Sequence, residues 1–290
     1  MTEFKTLTLS DKDVIDGYIN NTCIYSSELN FTTFYIWRKL LNVQFAEISG
    51  CVVFKTKHGE NPFSLRFPLG NGDFKEAVFE CIGLFGDKTR FYGLTEDQRD
   101  KLEEAFPGSF EFSEMTESFD YVYTSDKLIN LSGKKLHSKR NHINSFYKLY
   151  NCEFSKITEA DAEFITNAYN SWYEDTGDEY LRQEKESIAE LLENFDYLKL
   201  MGAKLTVDKN LAAFTIGERL NPDTAVIHIE KANVDYKGAY TVINQHFARD
   251  FLSGFKYINR EEDMGLEGLR KAKQSYCPDL MIKKYKGVLK

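Results

Sequence analysis

Long apolar runs are absent from this sequence. Its longest stretches free of Asp, Glu, Lys and Arg are 11 residues each, Gly17–Ser27 and Gly238–Ala248. A membrane-spanning helix takes about 20 consecutive apolar residues, so none is expected. The opening Met1-Thr2-Glu3-Phe4-Lys5-Thr6 has no basic region leading into an apolar one, which predicts no secretory signal and a soluble, cytoplasmic protein. Cysteine is sparse. Cys23, Cys51, Cys81, Cys152 and Cys277 are odd in number, far apart and never in a Cys-x-x-Cys pair. That excludes a disulfide framework or a zinc finger and predicts buried or half-buried thiols in a reducing compartment. The Asn-x-Ser/Thr sequons at Asn20, Asn30 and Asn130 are then chance matches. Only five prolines occur, and a composition 42% hydrophobic is too apolar for a disordered chain.

Several catalytic signatures are missing too. There is no Gly-x-x-x-x-Gly-Lys-Ser/Thr loop to cradle a nucleotide phosphate, no Gly-x-Ser-x-Gly elbow and no His-Glu-x-x-His pair. Gly70 and Gly72 begin a dinucleotide-type loop, but Lys75 stands where its third glycine belongs. His58, His137, His142, His228 and His246 have no metal-ligand spacing. Neither a metal nor a resident cofactor is expected.

What is present is uneven charge. Residues 127–148 hold six basic side chains (Lys127, Lys134, Lys135, Lys139, Arg140, Lys148) and no acidic one. Residues 270–290 hold seven (Arg270, Lys271, Lys273, Lys283, Lys284, Lys286, Lys290) against Asp279 alone. Each island is +6 within a chain of net −8, so the remainder carries −8 − 12 = −20. If the islands meet they focus potential on one surface; if not, they are two unrelated solvated faces.

The hydrophobic pattern reads twice in the same order: helix, helix, strands, helix, strand, helix, strand. In the first half helices are expected from a Ser10-x-x-Asp13 cap, over Ser27–Leu41, over Phe74–Phe85 and from a Thr95–Gln98 capping box to Ala105. Strands are expected at Val43–Ile48, Cys51–Thr56, Ser64–Phe67, Arg90–Tyr92 and Phe119–Tyr123. The second half has strands at Glu153–Ile157, Lys204–Val207, Leu211–Ile216, Ala225–Glu230, Lys256–Asn259 and Leu280–Tyr285. Its helices run from Thr158 to Tyr173, over Glu179–Asn194, around Tyr240–Phe251 and over Leu266–Ser275, with Leu136–Tyr150 helical at the join. This predicts two α+β domains, residues 1–130 and 131–290, dividing between about Ser125 and Tyr147.

The second basic island overlaps the motif Asn259-Arg-Glu-Glu-Asp263, Gly265 and Gly268-Leu-Arg270-x-x-Lys273-x-x-Tyr276-x-Pro278. Arg270 and Lys273, three apart on a helix, can grip a phosphate on one face or simply complement the helix C-terminus. With Ser26-Ser-Glu-Leu-Asn-Phe31, Ile36-Trp-Arg38, Lys134-x-x-x-x-Lys139-Arg-Asn141 and Ile227-His-Ile-Glu-Lys231, this resembles the family of the catalytic C-terminal domain of phosphatidylglycerol lysyltransferases, soluble bacterial branch. The resemblance implies tandem acyl-CoA N-acetyltransferase-like domains with mixed, mostly antiparallel sheets, similar to the Fem peptidyltransferases. It also implies transfer of an amino acid from aminoacyl-tRNA to a lipid, peptide or small-molecule amine or hydroxyl. No stretch matches the membrane-spanning half of the lysyltransferases. The loop Asp235-Tyr-Lys-Gly238-Ala-Tyr240 departs from the acyl-CoA pattern, with an acid in first place and Tyr240 where a small residue sits. A tyrosine there would crowd a pyrophosphate at the helix N-terminus.

The expected catalytic residues are Glu230, as proton acceptor or amine holder, and Asp263. The expected donor- and anion-binding residues are Lys139, Arg140, Gly238, Tyr240, Arg270 and Lys273, with Lys139 and Arg140 approaching Arg270 and Lys273. Aminoacyl-tRNA is the expected donor and tRNA the expected partner, with no DNA. Acyl-CoA as donor, and a non-catalytic binding protein that keeps the fold, stand as alternatives.

Overall fold

The computed structural model describes residues 2–19, 25–173 and 177–290; Cys23 and the sequon at Asn20 lie outside the described residues. The chain forms two compact units. Unit 1 is Met1–Phe119 with Ile282–Lys290, and unit 2 is Asp120–Met281. The division at 119/120 lies upstream of the expected 125–147 window, and unit 1 is built from two pieces of chain rather than one.

Unit 1 has helices α1 (Lys12–Ile19), α2 (Phe31–Trp37), α3 (Phe74–Phe85) and α4 (Glu96–Ala105). Its strands are β1 (Lys5–Thr6), β2 (Gln44–Ile48), β3 (Cys51–Thr56), β4 (Ser64–Leu65), β5 (Arg90–Leu94) and β6 (Phe110–Glu114). In unit 2 the order is β7 (Asp120–Thr124), α5 (Ser125–Asn130), α6 (His137–Leu149), β8 (Cys152–Lys156), α7 (Ala162–Ser171) and α8 (Glu179–Glu193). There follow β9 (Met201–Val207), β10 (Asn210–Asn221), β11 (Thr224–Ala232), α9 (Ala239–Asp250), β12 (Tyr257–Asn259), α10 (Glu267–Gln274) and β13 (Leu280–Ile282). A last strand, β14 (Tyr285–Leu289), returns to unit 1. None of the described helices is long and apolar enough to cross a membrane.

Among the described residues each sheet has seven strands, ordered β1-β2-β3-β4-β5-β14-β6 and β8-β9-β10-β11-β12-β7-β13. The two orders correspond place by place. Each has a parallel pair at the same position, β4 with β5 and β11 with β12, spanned by α3 or α9. β7 opens unit 2's own continuous stretch, whereas β14 leaves unit 2 to enter the sheet of unit 1. That crossing is the reason the expected single strand Leu280–Tyr285 is two strands in two sheets. Elsewhere local chemistry decides the boundaries. Asp73 accepts from the amides of Lys75 and Glu76 and opens α3, which buries Ala77, Val78 and Cys81 at helical spacing. Thr95 and Gln98 form the expected capping box. At the N-terminus the box is Thr8–Asp11, two residues before Ser10–Asp13, because Asp11 is buried and paired with Lys5 at 2.9 Å. Helix α2 starts only at Phe31, where Asn30 accepts from the Thr33 amide. The unit 2 core joins Tyr123, Phe146, Ile227, Ile243, Phe247, Ile258 and Tyr276 between sheet and helices. Cys51 and Cys81 are buried, Cys152 and Cys277 half-buried, and all four are free thiols.

Candidate functional site

Strands β11 and β12 are paired only at Thr224–Tyr257, Ala225–Ile258 and Val226–Asn259. Beyond that, β11 continues to Ala232 while the chain after Asn259 turns away, so the parallel pair splays. The turn is heavily braced. Asn259 Oδ1 accepts from the Glu261 amide at 2.7 Å, and its Nδ2 donates to Asp120 at 3.0 Å. Glu261, Met264 and Gly265 all take left-handed backbone angles. His228, on β11, is fully buried between Glu261 (Nδ1, 2.8 Å) and Glu218 (Nε2, 2.9 Å). Burial opposes charge on this imidazole, but the two carboxylates outweigh it and raise its pKa to about 10.

This bracing sets Arg260 into the splay. Its Nη2 donates to Glu230 at 2.6 Å, and Asn244 on α9 donates to the other Glu230 oxygen at 2.7 Å. The guanidinium lies against the rings of Tyr276 (4.8 Å) and Tyr123 (5.7 Å). Lys139, on the first turn of α6, sits over the Tyr276 ring at 3.9 Å. Burial, with Arg260 nearby, lowers the pKa of Lys139 to about 8. Two buried polar atoms of the cluster have no partner among the described residues: Arg260 Nη1, a donor, and Asn244 Oδ1, an acceptor. Buried orphans of that kind are uncommon in folded proteins and mark places where a ligand or water completes the hydrogen bonding. A cavity of about 430 Å³ opens between α7 and α8, lined by Thr166, Asn170, Arg182 and Lys185 among others, and neither orphan atom lines it.

The structure thus brings together Glu230 and Lys139 of the expected residues, around a cation the sequence reading had not singled out. The others are placed differently. Asp263 is buried and accepts four hydrogen bonds: two from Arg270 (2.8 and 3.0 Å), one from Tyr121 (2.7 Å) and one from the Gly265 amide (2.9 Å). Burial alone would raise its pKa, but Arg270 and Tyr121 hold it below the usual range. With its lone pairs occupied it is a brace, not a proton acceptor. Arg270 is spent on that bond. Lys273 is buried, donating to the carbonyls of Arg260 (2.6 Å) and Glu262, and burial lowers its pKa to about 8. The two cations do not form a phosphate-gripping face. They clamp the 259–265 turn from beneath.

Arg140 turns away from the splay to donate to the carbonyls of Leu131 and Gly133 (3.0 Å for the latter). Gly238 caps α9 at φ +97°, and a Cβ there would lie 2.8 Å from the His142 carbonyl oxygen of α6. The space over the loop is therefore filled by α6, and the Ala239 amide already donates to Tyr236. Tyr240 turns its hydroxyl toward Tyr173 and the Ala232 amide; burial of that hydroxyl raises its pKa to about 12. The second basic island is divided between the units. Its unit 1 members include fully buried Lys284, held by Glu28 at 3.4 Å. Sequence reasoning missed Arg260, Asn244, Tyr276 and His228 as site residues. Arg260 and Tyr276 lay inside the quoted motif, but nothing in spacing tells which of its cations keeps a free donor.

The model of the family described as "Phosphatidylglycerol lysyltransferase, C-terminal" matches residues 22–286. A crystal structure of a conserved protein of unknown function from Bacteroides thetaiotaomicron is 36% identical, with TM-score 0.91 and all of both chains covered. L-PGS from Bacillus licheniformis is 13% identical at TM-score 0.66, over 98% of this chain and 93% of that one. FemX is 8% identical at TM-score 0.59, over 99% and 97%. At such identities the last two show the shared fold: tandem N-acetyltransferase-like domains with mostly antiparallel sheets flanked by helices. An uncharacterized protein of Mycoplasmoides gallisepticum is 31% identical over 174 residues, 58% of this chain and 55% of that protein, so the match spans about half the relative's length. With 22–286 matched and the fold shared throughout, the chain belongs to the phosphatidylglycerol lysyltransferase C-terminal family.

Proposed function

We propose that this protein is an acyl-group transferase that takes an aminoacyl group from aminoacyl-tRNA and passes it to an amine or hydroxyl of a lipid, peptide or small molecule. The observation that carries this reading is the pair of buried orphans beside Glu230, Arg260 Nη1 and Asn244 Oδ1. An ester carbonyl oxygen against Arg260 Nη1 would meet a fixed donor as negative charge develops on it. Asn244 Oδ1 would accept from an amino group, that of the donor or of an amine acceptor. In transfer, the acceptor nitrogen or oxygen bonds the carbonyl carbon and the ester bond to ribose breaks. The ribose oxygen leaves with a proton, and the acceptor gives one up. In this reading the neutral amine form of Lys139, made accessible by a pKa lowered to about 8, takes that proton. Glu230, held by Arg260 and Asn244, orients the guanidinium in this reading and is not the base.

Acyl-CoA as donor is less well supported. Its pyrophosphate would need open amides at the start of α9, where α6 fills the space over Gly238 and the Ala239 amide is engaged. The deciding experiment incubates the protein with tRNA carrying a labelled amino acid, or with acetyl-CoA, and follows label transfer and thermal protection. Saturable acetyl-CoA binding with no tRNA affinity at low salt would overturn the proposal. Binding of tRNA without transfer to any acceptor class would favour a non-catalytic role.

A further inference from the structure

The first basic island is divided by folding into paired, exposed and half-buried cations. Lys127 is neutralised by Asp279 at 2.5 Å, and Arg140 is committed to backbone carbonyls. The ammonium groups of Lys134 and Lys135 are exposed and have no partner among the described residues. Their loop is not loose. Leu131 and Leu136 at its two ends are buried, Arg140 donates to the carbonyls of Leu131 and Gly133, and the His137 amide donates to the Lys134 carbonyl at 3.2 Å. One helical turn further on, Lys139 is half-buried instead, over Tyr276 and under the electrostatic influence of Arg260 and Glu230.

We propose that the 131–136 loop, staked by Arg140, is the docking surface for the phosphate backbone of RNA, namely the tRNA that delivers the acyl group; this rests on the aminoacyl-tRNA reading above. Three lysines within six residues, Lys134, Lys135 and Lys139, run from the outer surface to the splay. A backbone held by the first two would deliver its 3′ end toward the third. The rest of the chain is strongly acidic, and residues 127–148 contain no carboxylate side chain to repel a polyanion. A loop already ordered loses little entropy on binding. An anionic membrane surface fits less well. Basic patches that hold membranes use about 4–8 cations, and the two leucines flanking these lysines are buried rather than available for insertion.

The test compares the whole protein with its K134E/K135E and K134Q/K135Q variants for binding of a labelled tRNA transcript between about 50 and about 200 mM salt. Melting curves confirm that these surface variants stay folded. The expected result for K134E/K135E is tenfold or greater loss of affinity at the low-salt end. For K134Q/K135Q the slope of log affinity against log salt should shrink by about 1.5, as for two lost phosphate contacts. Unchanged affinity and slope, with tRNA bound well by the unaltered protein, would place docking elsewhere and leave the donor reading standing. Absence of tRNA binding by the unaltered protein would sink the donor reading and this proposal with it. Loss of binding to phosphatidylglycerol-rich vesicles, with tRNA affinity retained, would reassign the patch to a membrane and overturn the proposal.

Discussion

Glu230 and Arg260 are each nearly enclosed, and the two would not tolerate truncation as exposed residues do. Glu230→Ala leaves a guanidinium buried without its counter-charge, which costs about 3–5 kcal/mol in comparable pairs. A drop of that order in urea-denaturation stability is expected, whereas Lys271→Ala, on an exposed i,i+4 pair, should change it by less than about 0.5 kcal/mol. Lys139 gives a pH signature. An unfolded lysine keeps its proton up to about pH 10.5, but here burial lowers the pKa to about 8. Between those values the unfolded chain binds more protons, so stability rises with pH across that window. Below pH 8 the folded protein carries the full cost of a half-buried ammonium. Lys139→Met should therefore be more stable than the natural chain at pH 7, and the gap should close as pH approaches 10.5. Denaturation midpoints measured from pH 7 to 10.5 check this; a gap independent of pH would show that the ammonium is not desolvated. At this scale the sequence was least legible. Asp263, Arg270 and Lys273 were read as reacting or binding groups because their types and spacing permit it. Tyr121 comes from a distant strand, and the other bonds, Arg270 to Asp263 and Lys273 to the carbonyls of 260 and 262, close within the motif only once its turn has folded, which spacing does not reveal.

Helices and strands were much easier to read. Where a capping side chain and an apolar period coincide, as at Asp73 with α3 or Thr95–Gln98 with α4, the boundary follows from local chemistry alone. The contact between α6 and α9 has no local signature. Gly238 at φ +97° is needed both for that backbone angle and for the close approach of the His142 carbonyl. Gly238→Ala should cost about 1–3 kcal/mol from the backbone angle, with further loss from displacing α6. Because α6 carries Lys139, the same variant should also raise the Lys139 pKa toward its ordinary value as the helix moves outward. Lysine side-chain NMR on the variant reads this directly, and an unshifted resonance would mean that the loop, not the helix, absorbs the added methyl.

The whole molecule was legible as a twofold pattern, but the crossing of β14 was not. Both halves announce their helices and strands in the same order, yet nothing in residues 280–289 says that β13 and β14 belong to different sheets. That depends on which neighbour offers an open edge, a property of the folded sheets. Removing residues 282–290 should therefore harm the distant N-terminal segment most: β14 lies between β5 and β6, so both lose a partner. Proteolysis should then cut within residues 1–119 well before 120–281, and equal susceptibility would argue against the crossing. The same topology imposes a timetable on synthesis. Residues 120–281 are continuous and can close as soon as they clear the ribosome. The first 119 residues, although made earlier, must wait through that entire interval with a vacant slot between two strands. Such an unfilled slot is open to pairing with the wrong chain. Crowded synthesis, rather than the finished protein's thermodynamic stability, is where this architecture is most exposed to aggregation.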